Sequence, residues 1–107
     1  WGNPSSVHHV GRRARALLDD FRDRLATRLR CKPSEVVFTS GGTEGNNLAV
    51  FGAARLAAAA GRRHLITSPT EHHAVLNAFE ALRDHEGFEL TLLPVDQWGR
   101  VSPDDLR

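Results

Sequence analysis

The chain has 107 residues, 40% hydrophobic and 25% charged, with 14 Lys and Arg against 13 Asp and Glu. That composition is ordinary for a soluble globular domain and excludes a disordered polyelectrolyte, and no apolar run approaches the roughly 20 residues needed to span a membrane. The one cysteine, Cys31, excludes an internal disulfide and a cysteine-built zinc site, and it fits a reducing, cytoplasmic location. Charge is unevenly placed, with eight Lys and Arg and three acids in residues 1–34 but six and ten in residues 35–107. Asp19, Asp20 and Asp23 interrupt the arginines of the basic half, so it reads as a solvated helix face and no nucleic-acid partner is expected.

Trp1-Gly2-Asn3-Pro4 carries neither an initiator Met nor a charged-then-apolar leader, the expectation for a piece of a longer chain. Val10, Ala14, Leu17, Leu18, Phe21, Leu25 and Leu29 recur at steps of three and four, which predicts one face of a long amphipathic helix ended by Lys32-Pro33. Residues 36–39, Val-Val-Phe-Thr, read as a buried strand. Thr43 reads as the cap of a second helix over residues 44–60, rich in Ala and Leu and stopped by Gly61. Residues 65–67 read as a second strand and Thr70 as a cap. Ala74, Val75, Ala78 and Leu82 then make the inner stripe of a third helix closed by Gly87. Residues 88–95 read as a third strand and 96–100 as a turn, and Ser102-Pro103-Asp104-Asp105 has the capping chemistry of a helix cut off at Arg107. Strands alternating with helices in this way predict an α/β fold, a mainly parallel sheet with helices on both faces, in a single partial domain over residues 1–107. Ligands of such sheets bind beyond the carboxyl ends of the strands, so functional residues are expected after Thr39 and after Thr67.

The turn Ser40-Gly41-Gly42-Thr43-Glu44-Gly45 passes from strand to helix, where free backbone N–H groups and the positive helix end converge and favour an anion. Glycine permits close backbone approach, and the Thr43 hydroxyl can donate to a phosphate oxygen or cap its own helix. A tight structural turn would use the same residues. Glu44 and Gly45 stand where a P-loop needs Lys and Ser or Thr, and the glycine spacing departs from the dinucleotide fingerprint. Glu71 could still imitate a ribose-binding acid, which keeps a non-catalytic dinucleotide-binding module as an alternative. A small monophosphate fits better.

Thr70-Glu71-His72-His73 follows the second strand at the same end of the sheet. A histidine there can serve acid–base chemistry, bind a metal, or lay its ring against a planar ligand, and it can equally be exposed and inert. Neighbours on a helix point about 100° apart, so at most one of His72 and His73 is expected to be functional. His64, His72 and His73 lack zinc-ligand spacing, and no metal is expected.

Gly2-Asn3-Pro4-Ser5-Ser6-Val7-His8, the run from Val36 through Ser40-Gly41-Gly42-Thr43-Glu44-Gly45-Asn46-Asn47 to Ala49, and Ile66-Thr67-Ser68-Pro69-Thr70-Glu71-His72-His73 to Leu76 resemble, in this order, the NifS/IscS-like cysteine desulfurases. The likeness continues through residues 88–96 and Gly99. Parts of it are shared across the class V aminotransferase group, which includes selenocysteine lyases. The resemblance implies the large domain of a fold-type I pyridoxal-phosphate-dependent transferase. It also implies a homodimer that removes sulfur from L-cysteine, leaving alanine and an enzyme persulfide, and passes the sulfur to acceptor or scaffold proteins for iron–sulfur cluster or thio-cofactor synthesis. On the matching positions, Gly42 and Thr43 would hold the cofactor phosphate, and His72 would stack on the pyridine ring and assist proton transfer; His73 would not.

Pyridoxal phosphate needs a lysine to hold it and an acid near its ring nitrogen. The only lysine is Lys32, between a helix end and Pro33 and before the first strand. The resemblance places the family's lysine, acid and persulfide-carrying cysteine beyond Arg107, which leaves Cys31 as a packing residue. These residues are therefore expected to supply part of a cofactor site and not the whole of it.

Overall fold

The computed structural model describes residues 2–106; Trp1 and Arg107, on which the reading of both chain ends leans, lie outside the described residues. The chain divides into two compact units between Phe38 and Thr39.

The first unit is built on α1 (His9–Leu29). Its N-cap is His8, whose Nδ1 accepts from the Gly11 N–H at 3.1 Å. The preceding segment folds so closely over this turn that a Cβ on Gly11 would lie 2.5 Å from the Ser6 carbonyl oxygen. The helix stops at Leu29, before the predicted Lys32-Pro33 stop: Arg30 turns left-handed at φ 56°, and the Cys31 N–H closes on the Ala26 carbonyl at 3.0 Å. Pro33 instead opens a 3₁₀ turn, Pro33–Glu35. Ala26 is buried, whereas Leu17, Phe21, Leu25 and Leu29 of the predicted stripe are exposed.

The predicted strand over residues 36–39 is not formed. Val36 is extended, with φ −98° and ψ 117°, but the segment pairs with no other strand among the described residues. The carbonyl of Val36 accepts from Arg22 Nε at 3.4 Å, and the Arg22 guanidinium lies 5.0 Å from the centre of the Phe38 ring. A side chain of α1 thus takes an acceptor that a neighbouring strand would use, and β-branched composition alone cannot make a ladder.

The second unit runs α2 (Gly42–Ala59), β1 (His64–Thr67), α3 (His73–Glu86), β2 (Glu89–Leu92) and a 3₁₀ turn, Pro103–Leu106. β1 and β2 are parallel, in the register His64 with Glu89 to Thr67 with Leu92, with α3 as the crossover. The strand predicted over 88–95 is shorter because the Phe88 N–H closes on the Leu82 carbonyl at 3.3 Å and Pro94 has no N–H to give. Ala54, Leu82 and Phe88 form the core, with Val50, Phe51, Ala58 and Leu65 packed on it, and Ala78 is buried as well. Small residues at 54, 58 and 78 suit a close approach of helices, and Leu82, fully buried, fills the centre.

Two exposed arginines tie the edges of this packing. Arg55 of α2 meets Glu86 with Nε at 3.1 Å and Nη2 at 2.6 Å, and Arg63 donates to the Glu86 carbonyl at 2.7 Å. Gly87 ends α3 left-handed at φ 69°, and Gly61 follows α2 at φ 78°, both as their positions after the helices predict. No helix among the described residues is long and apolar enough to cross a membrane.

Candidate functional site

The glycine turn, the start of α2 and the loop after β1 meet at one concavity in the second unit. It measures about 350 Å³ and is lined by Gly42, Thr43, Asn46, His72 and Ala74. A concavity of about 600 Å³ lined by Pro94, Asp96, Arg100, Ser102 and Asp105 is larger, but it sets two acidic side chains against one arginine, which does not favour an anion. Donor chemistry, not size, selects the former, and its volume falls within the roughly 300–1,000 Å³ usual for small-molecule sites.

On the α2 side, Gly41 is the N-cap and Gly42 the first helical residue. Thr43 is therefore inside the helix and is not its cap, contrary to the sequence reading: the extended residue at the boundary is Gly41, with φ 167° and ψ −177°. The first internal helix bond is Gly45 N–H to the Gly41 carbonyl at 3.0 Å, so the N–H groups of Gly42, Thr43 and Glu44 find no acceptor among the described residues. A Cβ on Gly41 or Gly42 would meet nothing within 4 Å, which leaves open space directly over these donors. Gly42 is not at positive φ. Its value lies in access, not in an otherwise forbidden backbone.

Glu44 could have cancelled this electropositive end. Instead its Oε2 accepts from both the N–H and the hydroxyl of Ser40, each at 2.6 Å. Those bonds, the hydroxyl's first and the backbone's second, hold its carboxyl below the ordinary range. The lining itself contains no carboxylate.

On the other side, Ser68 and Thr70 hydroxyls bond at 2.6 Å and the Thr70 N–H donates to Ser68 Oγ at 3.1 Å, forming the turn that follows β1. Thr70 is thus part of this turn and not the helix cap. The cap is His72, extended at φ −62° and ψ 145°, whose Nδ1 accepts from the Ala74 N–H at 3.0 Å. A neutral imidazole that accepts at Nδ1 carries its proton on Nε2, which leaves that edge as the donor. His73 is the first helical residue, with its ring centre 6.2 Å from that of His72 at 61°. The two histidines therefore differ because one is outside the helix and one inside, not because both sit on it at successive angles.

The concavity brings Gly42, Thr43 and His72 together; His73, Glu71 and His64 do not line it. Lys32 and Cys31 belong to the first unit. Asn46 joins them without a sequence signal of its own, and Ala74, expected on the inner stripe of α3, lines the concavity instead. Asn46 follows Gly42 by four residues and Thr43 by three, so helical spacing alone places it on their face. No group of three His, Cys, Asp or Glu among the described residues could hold a metal.

The family model for class-V aminotransferases matches residues 1–107. Cysteine desulfurase IscS of Dictyoglomus turgidum is 49% identical over 107 residues, covering all of this chain and 27% of that protein. Among solved structures, DndA from Streptomyces lividans superimposes with a TM-score of 0.80 at 41% identity, over 97% of this chain and 29% of its own. SspA, solved in complex with cysteine, gives 0.76 at 38% identity, over 97% of this chain and 29% of its own. The chain thus spans little more than a quarter of the length of these relatives.

Proposed function

This chain belongs to the aminotransferase class-V family, and from that premise we propose that the full-length protein is a pyridoxal-phosphate-dependent cysteine desulfurase. In this reading residues 1–107 are one partial domain, the early part of the fold-type I large domain. They supply the phosphate cup through Gly42 and Thr43 and a ring-stacking residue through His72. The observation that carries it is the single concavity in which the unpaired first turn of α2 and the His72 ring converge.

The residues present fit that cofactor. Free N–H donors and the Thr43 hydroxyl suit a phosphate monoester, the open space over Gly42 admits one, and the lining carries no acid to repel it. Pyridoxal phosphate, when bound, supplies an electron sink for bonds at the substrate's α-carbon. The start of α2 neutralises the phosphate through backbone donors that need no reorganisation. His72 lines the cavity with a flat ring fixed at its Nδ1 edge by the Ala74 N–H, a ring whose face suits a planar ligand. His73 does neither.

The substrate of this proposal is L-cysteine, a choice supported by the names of the relatives and by the cysteine bound to SspA. Alanine would be released, and the sulfur would leave as an enzyme persulfide for acceptor or scaffold proteins in iron–sulfur cluster assembly. A homodimer and a cytoplasmic location complete the reading. The test is direct: full-length protein should show the visible absorbance of the bound cofactor and release alanine from L-cysteine. Borohydride reduction and peptide mapping should then place the cofactor on a lysine other than Lys32. A label on Lys32, or no bound cofactor, overturns the assignment.

A further inference from the structure

Resting on that reading, we propose that Glu44 is a positioning residue of the cofactor site, clamping the Ser40-Gly41-Gly42 turn so that the first turn of α2 stays open to the phosphate. The site places a carboxylate within one turn of an anion-binding helix end, which ought to weaken it. A side chain at this third helical position ordinarily folds back onto the N-cap N–H in a capping box, or meets the free N–H groups of the first turn. Either arrangement would use up donors that the phosphate requires.

The observed geometry avoids both. Glu44 reaches past Gly41, the N-cap, to Ser40, and one oxygen takes the Ser40 N–H and hydroxyl at 2.6 Å each. The negative charge is thereby committed to the residue before the helix, and the N–H groups of Gly42, Thr43 and Glu44 remain without an acceptor. The same clamp fixes a turn that has little else to fix it. Gly41 and Gly42 have no side chains, and beyond the chain next to them nothing lies within 4 Å of their would-be Cβ positions; the other tethers both fall on the Gly41 carbonyl, from Thr39 Oγ1 at 3.1 Å and the Gly45 N–H at 3.0 Å. Two adjacent glycines in an open turn sample many conformations, so a cup made of their backbone needs an external restraint. Glu44 is exposed, is not among the lining residues and makes no hydrogen bond to a lining side chain; its effect on the site passes through Ser40.

The test compares full-length holoenzyme with its Glu44→Ala and Glu44→Gln variants, measuring cofactor release by the decay of visible absorbance, and thermal melts of the apoproteins. Glu44→Ala should release cofactor about tenfold faster or more, while Glu44→Gln, whose amide oxygen can still accept from Ser40, should return to within about threefold of the parent. Apoprotein melting temperatures should stay together, which a purely structural role would not allow. Ser40→Ala, which removes the hydroxyl and keeps the N–H, should fall between the two. Release from Glu44→Ala at the parental rate, or equal release from the Ala and Gln variants, overturns the clamp while leaving the cofactor reading intact. A parent protein that binds no cofactor overturns both.

Discussion

Replacing Gly42 by Val separates a binding role from a structural one. Beyond the chain next to it, nothing lies within 4 Å of a Cβ built at this position, and its φ is not positive, so the described residues leave room for the side chain. Helix propensity differs between Gly and Val by only a few tenths of a kcal/mol, in favour of Val. The apoprotein should therefore melt within a degree or two of the parent, on the scale of about 2–4 °C per kcal/mol for proteins of this kind. The bound phosphate, by contrast, would lose close approach to the Gly42 N–H. A hydrogen bond to a charged group contributes roughly 1.5–3 kcal/mol, so cofactor affinity should fall about 10- to 150-fold. Equilibrium dialysis of the full-length variant against pyridoxal phosphate, read by visible absorbance beside an apoprotein melt, gives both numbers. Unchanged affinity would show that the turn holds no phosphate. A large drop in melting temperature would show that Gly42 is needed for the fold and would remove the argument from open space.

Thr43→Ala should be milder than Gly42→Val, costing at most the same 1.5–3 kcal/mol of one hydroxyl bond while the helix end remains; dialysis ranks the two. His72→Ala should shift the cofactor absorbance and slow alanine release on the order of 10²-fold or more, with His73→Ala near parental in both, and single-turnover assays of the folded variants decide. Leu82→Ala should cost about 2–5 kcal/mol in urea melts of the full-length protein, because the side chain is completely buried in the core with Ala54 of α2 and Phe88. Glu86 is held below its ordinary range, first by the hydrogen bond from Arg55, so its clasp stabilises above the unfolded carboxylate range and is lost as pH falls through the folded value. Glu86→Gln should therefore reduce the loss of stability on acidification, measured by melts from neutral to acid pH.

The sequence and the structure agree where one residue carries its own physical reason. Gly61 and Gly87 end helices because only glycine enters positive φ without strain, and that is legible without any neighbour. Leu82 and Ala78 are buried because periodicity marks their face. The failures share a different cause. Residues 36–39 have strand composition, but a strand exists through its partner, and Arg22 meets the Val36 carbonyl instead. Thr43 and Thr70 were expected as caps on residue type, yet the boundary falls at Gly41 and at His72. The competing oxygen acceptors are committed elsewhere, Thr70 to Ser68 and Glu44 to Ser40.

The same distinction holds within the candidate site. His72 follows the handover from β1 to α3, whereas no strand precedes Gly42 and Thr43, whose place is legible from the glycine turn at the start of α2. Glu44 is an acid in the first turn of α2, favourable to the dipole and by itself hostile to a second anion there. Only the bonds to Ser40 reverse that conclusion, by removing the carboxylate from the donors it would otherwise occupy. An anion site at a helix end depends as much on where the nearby acid is held as on the free N–H groups themselves, and the spacing from Ser40 to Glu44, one helical turn, is what holds this acid away from those N–H groups.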